Sequence, residues 1–305
     1  MKRLNAKNYE SMFQDQAGAG VNVDLLEKAD VTLPKRNVFG HKYSFGRALI
    51  LAGAEGYSGA PVLAANACER SGAGLTQLVV PRSIYPIAAM KCDGAVVRPF
   101  DADNAGGFSR SAAEAVLPLL AEANACLIGP GLGRNDGARN LVLSVIRDAA
   151  CPVILDADAL TLVGSSSLRL LDKAHAPLII TPHEGEFKRL GGDVSKGRLA
   201  GAAAFCGVHP SVVLVLKGHG TLISRGKNNA VNMTGSAALA KGGTGDVLAG
   251  ILCALLAQGV DPLEAARSAV YLHGLAGDLA EAETGAWSLA PSDVIRYLPE
   301  AFKSI

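Results

Sequence analysis

The sequence predicts an α/β protein whose mainly parallel central sheet is covered by helices on both faces. Between residues 47 and 217, short and continuously apolar runs alternate with longer helix-like segments, as in sheets whose strands are buried on both sides. Nearly every apolar run ends in a glycine-rich or polar cluster, which is typical of tight turns between a strand and the next helix. The 305 residues suffice for one large domain with a sizeable core.

The individual elements follow from this alternation. The predicted strands are 47–53, 75–80, 125–129, 152–156, 178–181 and 212–217, and the helices between them include 60–71 and 136–149. A hairpin follows, with strands at 221–224 and 230–232 around a polar turn at 225–229, and then helices at 244–258, 262–283 and 291–302. Residues 1–30 are polar and irregular, with an Ala-Gly stretch at 17–20, and are expected to form an arm or a short helix outside the core. We therefore predict an N-terminal extension, 1–30, and one domain, 31–305.

Composition and charge exclude several classes of function. Hydrophobic residues make up 49% of the chain, charged residues 19%, and the net charge is +1 without any basic run of the kind that binds nucleic acid. The six cysteines form no C-x-x-C pair, which favours reduced, buried thiols. The first residues lack the apolar segment of a signal peptide, and the longest apolar run, 247–257, is shorter than the about 20 residues that span a membrane. We expect a cytoplasmic protein with no nucleic-acid or membrane partner.

The strongest chemical motif spans residues 232–235 and 241–250 and places Lys-Gly-Gly-Thr-Gly before an apolar helical run. Glycine lets the backbone approach an anion closely, and the N-terminus of a helix offers unpaired N–H groups. Asp246 is either a carboxylate that caps this helix or lies in its first turn, or a general base beside a phosphoryl site. The glycines before it favour the base, although the spacing is not that of a P-loop.

Two other clusters at predicted strand ends carry side chains suited to binding, and such ends share one edge of a parallel sheet. In the segment 181–187, His183 could contact a substrate, and Glu186 could hold a metal through water or order a phosphate site. Alternatively this segment is an ordinary strand-to-helix turn, with His183 near the cap. The segment 217–221, Lys-Gly-His-Gly-Thr, could pack against an adenine or a ribose, or it is an ordinary entrance to the hairpin.

Three further clusters are less specific. The segment 129–133, Gly-Pro-Gly-Leu-Gly, permits close approach of a ligand but also serves any tight turn. The small residues of 53–61 leave room for a bulky ligand or for close packing of the next helix. Asp156 and Asp158 could position a substrate or a metal, and for Asp158 a hydrogen-bonded turn is favoured. The sequence has no G-x-G-x-x-G, H-E-x-x-H or G-x-S-x-G motif, which argues against a Rossmann dehydrogenase, a zinc protease and an α/β-hydrolase.

Taken in this order, the clusters resemble the NAD(P)H-hydrate dehydratases, a branch of the ribokinase-like superfamily, over about residues 31–302. The likeness also rests on His41-Lys42 with Gly46 and on 70–74. It implies a ribokinase-like three-layer αβα sandwich with a C-terminal hairpin plus helices, assembled as a homo-oligomer, typically a tetramer. The implied reaction repairs the S-epimer of hydrated NADH or NADPH. ADP or ATP, with Mg²⁺, phosphorylates the 6-hydroxyl, and loss of phosphate regenerates the dinucleotide.

The resemblance also implies roles for single residues. Asp246 would contact the substrate and act as the base that activates its hydroxyl, and Glu186 matches the position associated with magnesium. Substrate contacts are implied for Ala60, Gly131, Gly133 and His183. Nucleotide contacts are implied for Lys217, Gly218, His219, Gly220, Thr221 and Asn232, and for Gly243, Thr244 and Gly245, whose N–H groups would form an anion hole.

Some functions stay open beside this one. Many members of the family carry an N-terminal epimerase domain, and because only residues 1–30 precede the core here, we expect no epimerase activity. No role is assigned to residues 82–110, and ADP is modestly favoured over ATP. The nearest alternative is a ribokinase-like kinase that acts on a thiazole, pyridoxal or hydroxymethylpyrimidine alcohol. A nicotinamide oxidoreductase and a non-catalytic nucleotide sensor are the alternatives from other classes.

Overall fold

The structure, a computed structural model, describes residues 2–4, 6–13, 15 and 21–305. Its strands are β1 (Lys2–Leu4), β2 (Val23–Leu25), β3 (Arg47–Leu51), β4 (Leu75–Pro81), β5 (Val96–Phe100), β6 (Ala125–Ile128), β7 (Val153–Leu155), β8 (Leu178–Ile180), β9 (Val213–Leu216), β10 (Leu222–Arg225) and β11 (Asn228–Val231). Its α-helices are α1 (Ala6–Phe13), α2 (Gly59–Arg70), α3 (Tyr85–Lys91), α4 (Ala112–Ala115), α5 (Leu117–Glu122), α6 (Asp136–Asp148), α7 (Asp158–Val163), α8 (Arg169–Asp172), α9 (Glu184–Arg189), α10 (Arg198–Val208), α11 (Thr244–Ala257), α12 (Pro262–Thr284) and α13 (Pro291–Lys303).

The strands of the described residues form one sheet in the order β1-β2-β11-β10-β9-β8-β7-β6-β3-β4-β5. All neighbours from β9 to β5 are parallel, whereas β10 is antiparallel to both β9 and β11. This confirms the predicted parallel sheet and the hairpin, formed by β10 and β11, that follows the last parallel strand β9. The carboxyl ends of β3, β6, β7, β8 and β9 therefore lie along one edge, where ligands bind in such sheets.

Helices cover both faces of the sheet because its strands are apolar on both sides. Along β3, Ala48 and Ile50 belong to a core cluster shared with α2, α11, α12 and α13, while Leu49 and Leu51 belong to another shared with α6, α7 and α10. This alternation is the period of two that a strand imposes on its side chains. The result is the expected three-layer arrangement. None of the helices in the described part of the chain is long and apolar enough to cross a membrane.

The N-terminal residues take part in the core, contrary to the prediction for 1–30. Strand β2 pairs with β11 and so extends the sheet, and α1 buries Tyr9 and Phe13 in a core cluster. These two aromatic side chains are four residues apart and lie on one face of the helix, a spacing that the polar residues around them obscure. The Ala-Gly stretch at 17–20 lies outside the described residues.

Most element boundaries agree with the prediction, but the hairpin turn does not. Strand β11 begins at Asn228, which pairs with Arg225, so the loop is only Gly226 and Lys227. Gly226 has φ 57°, as the two-residue turns that match the twist of a hairpin require. The strand β5 and the helix α3, within 82–110, were not predicted. The reason is that β5 is only partly buried along its length and lacks the continuous apolar run of the inner strands.

Candidate active site

Two strand ends meet near the middle of the carboxyl edge. The Lys217 amide donates a hydrogen bond of 2.8 Å to the Pro182 carbonyl, and His183 forms an isolated parallel bridge with Lys217. The N-terminus of α11 lies against them, because a Cβ atom on Gly245 would be 3.5 Å from Lys217 Nζ. The structure thus brings together the segments 181–187, 217–221 and 241–250, which the sequence could only predict to share an edge.

Asp246 is the third residue of α11, which begins at Thr244 behind Gly243. Gly243 has φ 98°, a left-handed conformation that only glycine adopts readily, and a Cβ atom there would lie 2.7 Å from Leu63 Cδ1. The third residue of α13 closes a capping box with the N-cap amide, whereas α11 has no such box, so the carboxylate of Asp246 does not cap its helix in this way. Its place in the first turn nevertheless sets it beside the positive end of the helix dipole.

The ionisation of Asp246 is displaced towards neutral pH. Burial, and then the nearby Asp156 carboxylate, raise the pKa of Asp246 to about 7, while Lys217 acts in the opposite direction. A carboxyl group with this pKa exchanges its proton readily at neutral pH, which is the property that a general base needs. The raised pKa, with the absence of a capping box in α11, therefore favours the base over the helix-capping alternative.

Lys217 stands at the centre of a charge network under Asp246. Its Nζ atom donates a hydrogen bond of 2.8 Å to Oδ1 of Asp156, which is 1% exposed and also accepts 2.7 Å from the Thr181 hydroxyl. Glu186 Oε2 is 4.0 Å from the same Nζ. Burial disfavours the charged amine, but the pKa of Lys217 is raised overall by Asp156, Glu186 and Asp246. The predicted nucleotide residue Lys217 therefore directs its amino group to the acidic centre of the site.

His183 and Glu186 cap helix α9 reciprocally. His183 Nδ1 accepts hydrogen bonds from the amides of Gly185 at 2.9 Å and Glu186 at 3.3 Å, and Glu186 Oε2 accepts 2.9 Å from the His183 amide. The turn-and-cap alternative for this segment is thus confirmed. It does not remove the imidazole from the site, because the His183 side chain is 55% exposed and lines the cavity described below.

Glu186 was also predicted to lie at the magnesium position. No group of three or more His, Cys, Asp or Glu side chains is placed to hold a metal ion among the residues that the structure describes. Glu186 Oε2 is engaged in the cap, and Oε1 lies 3.5 Å from His183 Nε2. A single carboxylate oxygen fits a contact with hydrated Mg²⁺, which keeps several waters and takes oxygens from phosphates, and does not fit a direct cage of protein ligands.

A cavity of 750 Å³ opens beside Lys217 and the N-terminus of α11. Its lining contains most of the predicted nucleotide residues, namely Lys217, Gly218, His219, Gly220, Thr221, Asn232, Thr244 and Gly245. Asn232 shapes the wall through its amide group, which donates 3.0 Å to both the carbonyl and the hydroxyl of Thr234. The Thr234 hydroxyl in turn bonds the Tyr271 carbonyl at 2.8 Å. Gly243 and Asp246 are not part of the lining and lie next to it in the chain.

His273 of α12 also lines this cavity, and the sequence analysis did not single it out. Its Nε2 atom is buried without a hydrogen-bond partner in the described structure, and burial lowers the pKa of its imidazole to about 4. The ring is therefore neutral at physiological pH. A polar residue in the middle of a long helical segment was the one sequence signal that could have pointed to it.

The predicted substrate residues Ala60, Gly131 and Gly133 lie together at another part of the edge. A Cβ atom on Gly131 would be 3.2 Å from Ala60 Cβ and 2.9 Å from Tyr57 Cβ. Asp158 accepts 3.1 Å from the Gly133 amide and 2.8 Å from Arg134 Nε, which confirms the hydrogen-bonded turn favoured for this residue. These residues do not line the 750 Å³ cavity, but α2 connects the two places, since Leu63 of α2 contacts Gly243.

The sheet order, the helix N-terminus and the carboxylate at its first turn define a ribokinase-like α/β protein. Comparison with known proteins narrows this class. The sequence profile described as NAD(P)H-hydrate dehydratase matches residues 48–300. The chain belongs to the NAD(P)H-hydrate dehydratase family, as the order of its motifs predicted.

Individual relatives agree with this assignment. The ADP-dependent (S)-NAD(P)H-hydrate dehydratase of Bacillus subtilis is 36% identical over 282 residues, which cover 91% of this chain and 96% of that protein. The bifunctional NAD(P)H-hydrate repair enzyme of Moorella thermoacetica is 37% identical over 278 residues, 90% of this chain and 52% of the relative. The chain therefore spans about half the length of such bifunctional relatives.

Solved structures show the same fold. The crystal structure of ADP/ATP-dependent NAD(P)H-hydrate dehydratase from Bacillus subtilis, co-crystallized with ATP/Mg²⁺, has a TM-score of 0.77 and 32% identity, covering 92% of this chain and 98% of that one. A ribokinase-like superfamily protein from Enterococcus faecalis has a TM-score of 0.79 and 27% identity, with coverage of 92% and 96%.

Proposed function

We propose that this chain dehydrates the S-epimer of hydrated NADH or NADPH to the intact dinucleotide at the expense of ADP or ATP. The observation that carries the proposal is Asp246, a partly buried carboxyl group with a pKa of about 7 at the N-terminus of α11, beside a cavity lined by the predicted nucleotide residues. Membership of the dehydratase family supports this function over phosphorylation of a vitamin-precursor alcohol.

In the first step Asp246 accepts the proton of the 6-hydroxyl group. The hydroxyl oxygen forms a bond to the terminal phosphorus as the bond from phosphorus to the bridging oxygen breaks, so ADP leaves AMP and ATP leaves ADP. The amides of Gly243, Thr244 and Gly245 face the charge that develops on the transferred group, as donors at a helix N-terminus do. Positioning and charge stabilisation account for most of the catalysis in such transfers.

The second step is elimination. Phosphate leaves with the bonding pair of the C–O bond while the ring nitrogen donates its lone pair, and loss of a proton from the neighbouring carbon restores the ring double bond. The product of phosphorylation is thus transient. We infer from the family resemblance that the substrate would contact Ala60, Gly131 and Gly133, which lie together at another part of the edge, and His183, which lines the cavity.

Lys217 would act at the phosphate and not at the base of the nucleotide. Its ammonium group is held by Asp156 at 2.8 Å and lies beside Gly245, so it presents positive charge where the phosphoryl group passes. Mg²⁺ bound to the nucleotide phosphates would neutralise further charge there, with Glu186 contributing one carboxylate oxygen, directly or through water. His219, Gly218, Gly220, Thr221 and Asn232 would contact the remaining nucleotide.

The test is a reconstitution. Purified protein is incubated with hydrated NADH, Mg²⁺ and either ADP or ATP, while the absorbance of NADH and the nucleotide products are followed. We expect recovery of NADH with stoichiometric release of phosphate, and modestly better with ADP. A stable phosphate ester formed from a thiazole, pyridoxal or hydroxymethylpyrimidine alcohol, without recovery of NADH from its hydrate, would contradict the proposal.

The same proposal extends to the state and place of the protein. A cytoplasmic location agrees with a substrate that is an intracellular dinucleotide. We further propose a homotetramer, as the family resemblance implies. Light scattering on the purified protein tests this assembly, and a monomer at micromolar concentration would contradict it.

A further inference from the structure

The nucleotide cavity has an aromatic wall that comes from the N-terminal helix. Phe13, the last residue of α1, is 8% exposed and lines the cavity. Its ring lies directly on Gly220, so closely that a Cβ atom there would collide with the ring, and its centroid is 6.0 Å from that of His219. The loop 217–221 thus has an aromatic face that the sequence analysis did not foresee.

Helix α1 is connected to the loop 217–221 by hydrogen bonds that involve Asp15 and Arg198. Asp15 accepts hydrogen bonds from the backbone amides of Arg198 at 2.8 Å and Leu199 at 3.2 Å, at the N-terminus of α10, and from the Tyr9 hydroxyl at 2.6 Å. The Arg198 guanidinium donates to the carbonyls of Leu216 at 3.1 Å, His219 at 2.5 Å and Gly220 at 3.3 Å. Arg198 therefore fixes Phe13 and the loop relative to one another.

The position of Phe13 in the cavity indicates which part of a ligand it meets. Of the residues that line the cavity, Lys217, Thr244 and Gly245 lie at the N-terminus of α11, where the proposed function places the phosphates. Gly220 lies farther along the loop, and Phe13 covers it. Because the flat face of an aromatic ring stacks on any base, this end of the cavity suits a planar heterocycle.

We propose that Phe13 is a nucleotide-contact residue that stacks on the base of the adenine nucleotide. The proposal rests on the proposed function only for the identity of the nucleotide. It makes residues of the predicted extension 1–30 part of the site, although they precede the segment that matches the family profile, 48–300. Phe13 would set the affinity for the base, while Lys217 and the N-terminus of α11 set the affinity for the phosphates.

The test compares a ligand that has a base with one that has none. Binding of ADP and of inorganic pyrophosphate is measured by calorimetry for the wild type, Phe13→Ala, Phe13→Tyr and Phe13→Leu. We expect Phe13→Ala to weaken ADP binding by about 10- to 100-fold, the range found when a stacking side chain is removed, and to leave pyrophosphate binding unchanged. Phe13→Tyr keeps the π face and should retain ADP affinity. Phe13→Leu keeps most of the apolar volume but has no π face, so it should also lose affinity for ADP. This variant provides the test if Phe13→Ala does not fold.

Met12 of the same helix provides the matched control. Its side chain is 41% exposed and does not line the cavity, so Met12→Ala should leave both affinities at the wild-type value. In turnover, we expect Phe13→Ala and Phe13→Leu to raise KM for the nucleotide and not to lower kcat to the same extent.

Three outcomes would overturn the inference: unchanged ADP affinity in Phe13→Ala and Phe13→Leu, an equal loss of pyrophosphate affinity, or an equal loss in Met12→Ala. None of these outcomes would contradict the proposed dehydratase activity, which is tested by the recovery of NADH from its hydrate. Conversely, a selective loss of ADP affinity in a protein that repairs no hydrated NADH would support the stacking role and contradict the proposed function.

Discussion

Two regions of the carboxyl edge, one around Asp246 and one around Gly131, are built in different ways. Around Asp246, the site consists of charges withdrawn from water, with Lys217 between Asp156 and Glu186. Around Gly131, it consists of backbone and small side chains, with glycines whose positive φ angles are 58° at Gly131 and 77° at Gly133. We expect the first region to act through ionisation and charge, and the second through shape.

This contrast predicts which substitutions matter in each region. Near Asp246, a change of charge at constant volume should be severe, because a buried charge without its partner has lost its solvation. Near Gly131, a change of volume at constant charge should matter, because there the backbone is close to its neighbours. The predictions below test the contrast.

The largest effect is expected for Asp246→Asn, which keeps the volume and removes the base. Turnover should fall by about 10²- to 10⁴-fold, the usual contribution of a general base. ADP affinity should change little, because the substitution leaves the backbone amides that we propose to bind phosphate in place. Steady-state kinetics with hydrated NADH and calorimetry with ADP measure the two quantities.

Asp293→Asn is the matched control for that substitution. Asp293 is also the third residue of its helix, α13, but its Oδ2 accepts 2.8 Å from the Ala290 amide and so caps the helix. We expect Asp293→Asn to lower the melting temperature and to leave turnover intact. Wild-type turnover by Asp246→Asn would remove Asp246 as the base and restore the structural interpretation of its position.

The second-largest effect concerns stability and is expected to differ between two ion pairs of equal length. Lys217 Nζ and Arg134 Nε each lie 2.8 Å from an aspartate oxygen, but the lysine is 20% exposed and the arginine 61%. Lys217→Met leaves the buried Asp156 without its cation and should lower the free energy of unfolding by about 3–5 kcal/mol. Arg134→Met breaks a surface pair and should cost about 0–1 kcal/mol. Equal losses in urea denaturation would contradict the contrast between the regions.

The third prediction concerns pH. Because the base must be ionised and its pKa is raised to about 7, kcat/KM should fall about tenfold for each pH unit below 7 and level off above it. His273 does not explain such a limb, since its pKa is lowered to about 4. Replacing Asp156 by Asn should move the limb to lower pH, because Asp156 raises the pKa of Asp246. A limb that stays in place in this variant would assign it to another group.

The ionisation of Asp246 should also affect the stability of the fold. Stability should fall as the pH rises, whereas kcat/KM should increase. The folded-state pKa of Asp246 lies above its ordinary value of 3.8, so folding disfavours the ionised carboxylate, and stability is lost as the pH rises from that value through about 7. Asp246→Asn carries no such loss. Its melting temperature should therefore rise relative to that of the wild type between pH 4 and pH 7, and the difference should stay constant above pH 7.

The sequence predicted the sheet and the glycine-rich start of α11 well, and the contacts between distant segments poorly, for physical reasons. The inner strands are continuous apolar runs, and α11 follows a cluster of glycines. Both are local patterns that can be recognised in a sequence. The pairing of Lys217 with Asp156 joins residues from two different strand ends, so no local pattern contains it.

His273 and Phe13 were missed for a related reason. His273 sits within an ordinary helical segment, and its importance comes only from the buried, unpartnered Nε2. Phe13 belongs to a polar stretch, and only the tertiary contact with Gly220 makes it part of the cavity. Local periodicity reports which face of an element is buried but not which distant loop that face meets.

The smallest effect is expected in the region built by shape. Gly131 and Gly226 have nearly the same φ, 58° and 57°, so alanine at either position should cost about 1–2 kcal/mol of backbone strain. They differ in surroundings, because a Cβ atom on Gly131 would lie 2.9 Å from Tyr57 Cβ and 3.2 Å from Ala60 Cβ, whereas nothing lies within 4 Å of one on Gly226. Gly131→Ala should therefore raise KM for hydrated NADH several-fold at unchanged KM for ADP, and Gly226→Ala should change neither constant. If both variants behave alike in steady-state kinetics, the crowding at Gly131 does not shape the substrate site, and the proposed contrast between the two regions fails on the side of shape.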